Sequence, residues 1–344
     1  MHPALIRAAA VITGVLVTVS ASAANVGWRQ YPVANAMPEV PAIAVALYYP
    51  TSATPRAMVM GPFTVTAALS APAHATLKGL IMLSHGTGGS ELGHSSLAEA
   101  LAQNGYLVAS LRHPGDNWQD RSLLQKGAAA YFNQRPQPLS QVIDALLKDP
   151  AWGPRIASDA SGPRVGALGH SAGGYSVLAL AGGAPEPTRL LEHCSMNRSQ
   201  DPIFCSLAES TRPGSSASEA PGPSQSLRDR RVRAVVALAP VGAIFSPQSL
   251  QAIGIPVAIY EAQRDRFLVP RFHSQWITRH LPSARMVTVP NAWHFAFMDT
   301  PNMAIATEDG DIAADPPGFD RAAFLGRLGK DLPAFFDKAF QVDR

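Results

Sequence analysis

Residues 164–183 read RVGALGHSAGGYSVLALAGG: a short apolar run, a serine set between glycines, and a second apolar run rich in Ala and Leu. Strand-like residues give way to helix-forming ones across a turn that only small side chains can make. Gly169-His170-Ser171-Ala172-Gly173 fits G-x-S-x-G, the nucleophile elbow, in which a tight strand-to-helix turn lifts the serine hydroxyl above a sheet. The pentapeptide alone is a weak signal, because Gly, Ala and Ser are common residues. Its setting is the informative part, since the motif requires a strand before it and a helix after it.

The same alternation extends outward. The runs AIAVALYYP, GLIMLSHG, YLVASLRHPG, AVVALAP, IPVAIYE and ARMVTVP are short, apolar and mostly ended by Gly, Pro or His, as strands buried on both faces are. Between them, SSLAEALAQNG ends at Gly105 and PLSQVIDALLKDP lies between Pro138 and Pro150, two stretches with helix boundaries. Strands alternating with helices predict an α/β fold, a mostly parallel central sheet covered by helices on both faces.

A serine hydroxyl is a weak nucleophile until an oriented base takes its proton. In this architecture the acid and then the histidine follow the serine along the chain. Asp265, in IPVAIYEAQRDRFLVP, and His294, in ARMVTVPNAWHFAFMD, each stand a few residues past a strand, at the edge where ligands bind in such sheets. Glu261 and Asp299 compete for the acid role, the first almost at a strand end and the second after the histidine. His273 and His280 fall on a helical stretch and read as surface or packing residues. Charge developing on a substrate oxygen needs two backbone N–H donors, for which Ala172 and Thr87, in LSHGTGGS, are the candidates. The bland reading of that second segment is a glycine turn without catalytic duty. His85 reads as a brace for the loop, not a proton carrier. Trp118, Trp293, Phe295 and Phe297 are candidates for a substrate pocket and equally for the core.

The whole chain sets bounds on these readings. With 344 residues, 47% hydrophobic and 15% charged, it can bury a full core and is not a disordered chain. Its net charge of +3 is small, and the basic run RDRRVR at 228–233 leads straight into a strand without interleaved aromatics, which speaks against a nucleic-acid partner. The first residues, with Arg7, an apolar stretch at 8–19 and Ala21-Ser22-Ala23, have the layout of a secretory leader cut after Ala23 or Ala24. A buried first helix or an uncleaved anchor is the other reading. The expectation is a leader over 1–23 and one domain over 24–344, exported to the periplasm or secreted. No segment reaches the length of a membrane span, so stable membrane insertion is not expected. In an oxidising compartment a disulfide across a short loop is the favoured reading of Cys194 and Cys205, the only cysteines, with two unpaired small hydrophobes as the other. No Cys and His pattern has metal-ligand spacing. They sit in a loop-rich excursion at about 183–231 that includes RPGSSASEAPGPSQS and reads as a cap over the site or as a surface loop.

The set LSHGTGGS, HPGDN, GHSAGG, EAQRDRFLVP and NAWHFAF, spread from about residue 27 to the C-terminus, resembles the bacterial predicted dienelactone-hydrolase group of α/β-hydrolases, relatives of the platelet-activating-factor acetylhydrolases. The resemblance implies an eight-stranded α/β-hydrolase sheet, a small-molecule ester substrate, no cofactor, the triad Ser171, Asp265 and His294, and an oxyanion hole at Thr87 and Ala172. True dienelactone hydrolases carry cysteine at the elbow, and here the residue is Ser171. A carboxylic-ester hydrolase working through an acyl-enzyme is therefore the better inference. An amidase, peptidase or lactone hydrolase would use the same triad, and a non-catalytic binding module of this fold is the remaining alternative. HPGDN at 113–117 reads only as an Asx-type turn at the edge of the site.

Overall fold

The computed structural model describes residues 24–35, 41–210 and 226–342. The leader expected over 1–23, and most of the Gly/Pro/Ser-rich run, lie outside them. Ten strands form one sheet: β1 (Asn25–Gln30), β2 (Val45–Thr51), β3 (Arg56–Met60), β4 (Phe63–Leu69), β5 (Leu80–Ser84), β6 (Leu107–Leu111), β9 (Val165–His170), β10 (Val232–Leu238), β11 (Val257–Ala262) and β12 (Arg285–Val289). Short ladders β7 (Ser158–Asp159) with β8 (Gly162–Pro163), and β13 (Ala306–Thr307) with β14 (Gly310–Asp311), stand apart. Spatial order in the sheet is β12-β11-β10-β9-β5-β6-β2-β1-β4-β3, and the six strands from β12 to β6 are parallel.

The seven apolar runs of the sequence all lie in this sheet, and β5, β6 and β9 are buried along their whole length. The sheet exceeds the eight strands expected. In β4 (FTVTAAL) Thr64 and Thr66 face water while Phe63 and Val65 are buried, and edge strand β3 has no buried residue. Such half-solvated antiparallel strands lack the continuous apolar run that marks a doubly covered one.

Helices α1 (Ser95–Gln103), α2 (Ser122–Gln125), α3 (Ala128–Gln134), α4 (Gln137–Lys148), α5 (Ala172–Ala181), α6 (Pro187–Asn197), α7 (Pro202–Ser210), α8 (Pro247–Gln251), α9 (Ser274–His280) and α10 (Arg321–Ala339) complete the fold. Leu97 and Leu101 of α1 and Phe324, Leu328 and Phe336 of α10 belong to one core cluster. Leu139, Val142 and Ile143 of α4, Leu178 of α5 and Ile277 of α9 belong to the other. None of the described helices is long and apolar enough to cross a membrane.

The excursion after α5 differs from its expected loop-rich form. Its described part is a pair of helices, α6 and α7, which bury Leu190, Cys194, Phe204 and Cys205 in the core. The Cys194–Cys205 disulfide joins them, with Cα atoms 5.4 Å apart.

Chain order reverses direction in space between β5 and β9: β6 lies on one side, and β10, β11 and β12 follow on the other. The carboxyl ends of β5 and β9 therefore flank a crevice at a topological switch point, the usual ligand site of an open parallel sheet.

Candidate active site

Ser171 stands at that crevice, between the end of β9 and the start of α5. Its backbone has φ 58° and ψ −120°, a strained conformation for a residue with a side chain. Three backbone hydrogen bonds hold it there: its N–H donates to Leu238 O (2.9 Å), and its carbonyl accepts from Tyr175 (3.1 Å) and Val241 (3.2 Å). The flanking glycines are a steric necessity, because a Cβ on Gly169 would lie 2.2 Å from Gly173 O and one on Gly173 would lie 2.0 Å from Ser84 O.

The loops after β11 and β12 bring two more side chains to this hydroxyl. His294 Nδ1 lies 2.8 Å from Asp265 Oδ2, and Nε2 lies 3.0 Å from Ser171 Oγ. A carboxylate only accepts, so Nδ1 carries the hydrogen and Nε2 is free to accept from the serine. Asp265 is buried and its other oxygen accepts from Leu268 N–H (2.8 Å). The ring of Phe267 stacks on the imidazole at 5.1 Å, and the neighbouring ring of His170 donates from Nε2 to His294 O (2.9 Å). Burial lowers the His170 pKa well below the usual histidine value, so this donor stays neutral.

The competing acids are engaged elsewhere. Glu261 accepts from Ser274 Oγ (2.8 Å) and Thr288 Oγ1 (3.2 Å), and Asp299 accepts from the Ser96 N–H (3.0 Å) and hydroxyl at the start of α1. His280 packs on Trp276, with ring centroids 4.0 Å apart. His273 is fully buried, which rules out the surface reading for it.

The loop after β5 is held by a buried network. Asp116 and Arg135 form an ion pair at 2.6 Å with neither side chain exposed to solvent. Asp116 Oδ1 accepts from Gly88 N–H (2.9 Å), and Oδ2 also accepts from Tyr131 OH (2.7 Å). That phenol accepts in turn from Thr87 Oγ1 (2.9 Å). Arg135 reaches His85 O (2.5 Å) and Ser176 Oγ (2.8 Å). His85 donates from Nδ1 to Gly86 O (2.6 Å) and accepts from His113 N–H at Nε2 (3.1 Å). It braces the loop, and burial lowers its pKa to about 4, so it is neutral at ordinary pH. The Thr87 N–H takes no part in this network, nor does that of Ala172, the first residue of α5.

Asp116 lies within HPGDN, yet the turn there is made by its neighbour: Asn117 Oδ1 accepts from Gln119 N–H (2.9 Å) and Asp120 N–H (3.1 Å). Asp116 instead turns inward. Burial by itself raises its pKa, but the Arg135 charge and hydrogen bond outweigh that and hold it below the usual carboxylate value.

The aromatic candidates are dispersed. Trp118 is 61% exposed on the surface turn, Trp293 and Phe297 are buried in core, and Phe295 is half-buried with its ring 5.2 Å from that of His294. Phe267, which no sequence pattern marks, makes the stacked contact.

Among the described residues, His193, Asp201 and His273 bring three ligand-type atoms together. Asp201 Oδ2 lies 2.8 Å from His193 Nε2 and 2.9 Å from His273 Nε2. Gly242 N–H donates to His273 Nδ1 (3.1 Å), so Nε2 carries the hydrogen and points it at Asp201. A metal there requires that nitrogen bare, with the other one donating. The cluster therefore fits a hydrogen-bonded clasp.

No family model matches the chain, and no curated protein does. Among solved structures, a ferulic acid esterase from Streptomyces cinnamoneus superposes with a TM-score of 0.59 at 19% identity, over 94% of this chain and 92% of that one. The fold is that of an α/β-hydrolase. Ala172 directly follows Ser171 at the start of α5, and Thr87 lies in the loop after β5.

Proposed function

We propose that the protein is a serine hydrolase of carboxylic esters, of the dienelactone-hydrolase-like group, made with a leader over 1–23 and exported as one catalytic domain over 24–344, with the 183–231 segment as its cap. The observation that carries the reading is the unbroken line Asp265–His294–Ser171, at 2.8 and 3.0 Å, on a strained serine at the sheet's switch point. The disulfide in the cap is compatible with export. The similar structure's being a ferulic acid esterase favours an ester over an amide.

In this mechanism His294 Nε2 takes the Ser171 proton as Oγ attacks the ester carbonyl, and Asp265 holds the ring and stabilises the imidazolium. The oxyanion is received by the Thr87 and Ala172 N–H groups, fixed before substrate arrives. His294 then gives its proton to the leaving alcohol, and water releases the acyl group by the reverse route. No cofactor enters these steps. Phe267, stacked on the imidazole, keeps water from one of its faces.

The test is labelling by a fluorophosphonate, followed by a panel of p-nitrophenyl esters against matched anilides. Labelling at Ser171, ester turnover and its loss in Asp265→Asn are expected. A protein that is not labelled and turns over nothing is a binding module, and faster cleavage of anilides than of esters makes it an amidase.

A further inference from the structure

One polar side chain beside the triad has no step in the proposed reaction. His170, the last residue of β9, is buried and meets all three loops of the crevice. It is bonded to Ser171 along the chain. Toward the loop after β12, its Nε2 lies 2.9 Å from His294 O, and its ring centroid lies 4.9 Å from that of His294. Toward the loop after β5, a Cβ on Gly86 would lie 3.6 Å from its Nδ1 and 3.1 Å from Ser171 Cβ, so the glycine backbone packs against both residues.

The ring carries its hydrogen on Nε2, because a carbonyl only accepts. Nδ1 is buried and meets no acceptor among the described residues, so nothing competes to draw the hydrogen to the other nitrogen. The buried ring of His94, the residue before α1, packs alongside at 5.3 Å, and burial pushes its pKa down to about 3. Neither neighbour therefore sets a charge next to the imidazole of His294. Asp265 and Phe267 hold that imidazole itself, whereas His170 holds the main chain from which it springs. A ring anchored only at Nδ1 can still tilt, and the tilt moves Nε2 relative to Ser171 Oγ, 3.0 Å away. Anchoring the main chain removes that freedom.

We propose that His170 is a positioning residue for His294: the Nε2–H of its ring, given to the His294 carbonyl, sets where the base stands between Asp265 and Ser171. The proposal deepens the esterase reading above and rests on it. Misplacing a reacting group by about 1 Å costs up to about a hundredfold in rate. The donor is directed at the main chain of His294, so its loss slows the proton transfer and leaves the binding of the ester unchanged.

The test compares the wild type with His170→Gln, His170→Met and His170→Phe. Gln and Met have nearly the same shape, and only the Gln amide can donate where Nε2 does; Phe keeps a ring and has no donor. Two rates are measured, turnover of p-nitrophenyl butyrate and labelling by a fluorophosphonate. The label taken up at completion counts the competent sites, so each rate is expressed per site and misfolded protein does not enter it. In His170→Met and His170→Phe both rates are expected to fall about thirtyfold, with KM within about twofold of the wild type. In His170→Gln both are expected to stay within about threefold of it. Met or Phe variants as fast as the Gln variant overturn the proposal, because the ring then only fills space, and so does a Gln variant as slow as the Met one. Either donorless variant decides the matter if the other does not fold. A wild type that neither takes the label nor turns over the ester overturns the esterase reading itself, a result distinct from labelled variants with equal rates.

Discussion

Two buried carboxylates hold the loops on either side of Ser171, and they do so with different partners. Asp116, under the loop after β5, is sealed against the Arg135 guanidinium. Asp201, carried between α6 and α7, receives the rings of His193 and His273 and the N–H of Val269 (3.4 Å), next to Leu268, whose own N–H holds Asp265. A guanidinium keeps its charge at every pH at which the protein folds, whereas an imidazole can donate a hydrogen bond in either protonation state. Asp116 and Arg135 are therefore an obligatory pair, each leaving a stranded charge if the other is lost. The Asp201 clasp is adaptable. The proposed oxyanion side is fixed rigidly, and the proposed acid side is tied to the α6–α7 helix pair by bonds that conditions can loosen.

The comparison assumes one nucleophile served by both sides, and that assumption carries the largest expected effect. Ser171→Ala should lower kcat/KM for esters by roughly ten-thousandfold or more with unchanged circular dichroism. Retention of a tenth of the activity breaks the comparison at its base. Next comes partner chemistry. In chemical denaturation Asp116→Ala should destabilise by about 3–5 kcal/mol, because it leaves Arg135 buried and uncompensated. Asp201→Ala should destabilise by only about 1–3 kcal/mol, the cost of unpaired but neutralisable donors. Equal losses would show that the kind of partner does not matter.

Smaller effects separate the α6–α7 pair from the sheet. The disulfide spans 11 positions, so chain-entropy reasoning limits its contribution to about 3 kcal/mol. Reduction should lower the unfolding temperature while Ser171 is still labelled by a fluorophosphonate; loss of labelling would mean that the α6–α7 pair helps to build the site. Acid gives the smallest effect. Burial alone raises the Asp201 pKa, but the hydrogen bonds from His193 and His273 bring it from 3.8 to about 2. A carboxylate lowered in the folded state stabilises it above the unfolded pKa, and that contribution is lost as pH falls through the folded value. About 2 kcal/mol should therefore disappear between about pH 4 and pH 2 in the wild type and not in Asp201→Asn. Parallel acid curves for the two proteins would remove the clasp from the account.

By itself, the sequence determined the α/β class, the seven apolar strands, the strand–turn–helix around Gly169–Gly173 and the pairing of the two cysteines, and it nominated Ser171, Asp265 and His294, whose side chains lie in hydrogen-bond reach of one another. These are local signals: each candidate lies within a few residues of a strand end, and parallel strands deliver their carboxyl ends to one edge whatever the loops contain. Strands β1, β3 and β4 carried no continuous apolar run, and the composition of RPGSSASEAPGPSQS hid the two helices before it, although Leu190, Cys194, Phe204 and Cys205 give them a buried face. Only the tertiary structure decided that Asp116 turns inward to Arg135 while Asn117 makes the turn, that Phe267 covers His294, that Trp293 is core, and that Asp201 clasps two histidines. Those partners are brought together by packing, from positions 19 to 72 residues apart for Asp116 with Arg135 and Asp201 with His273. A buried charge must find its partner wherever the fold puts one, and no spacing along the chain records where that is.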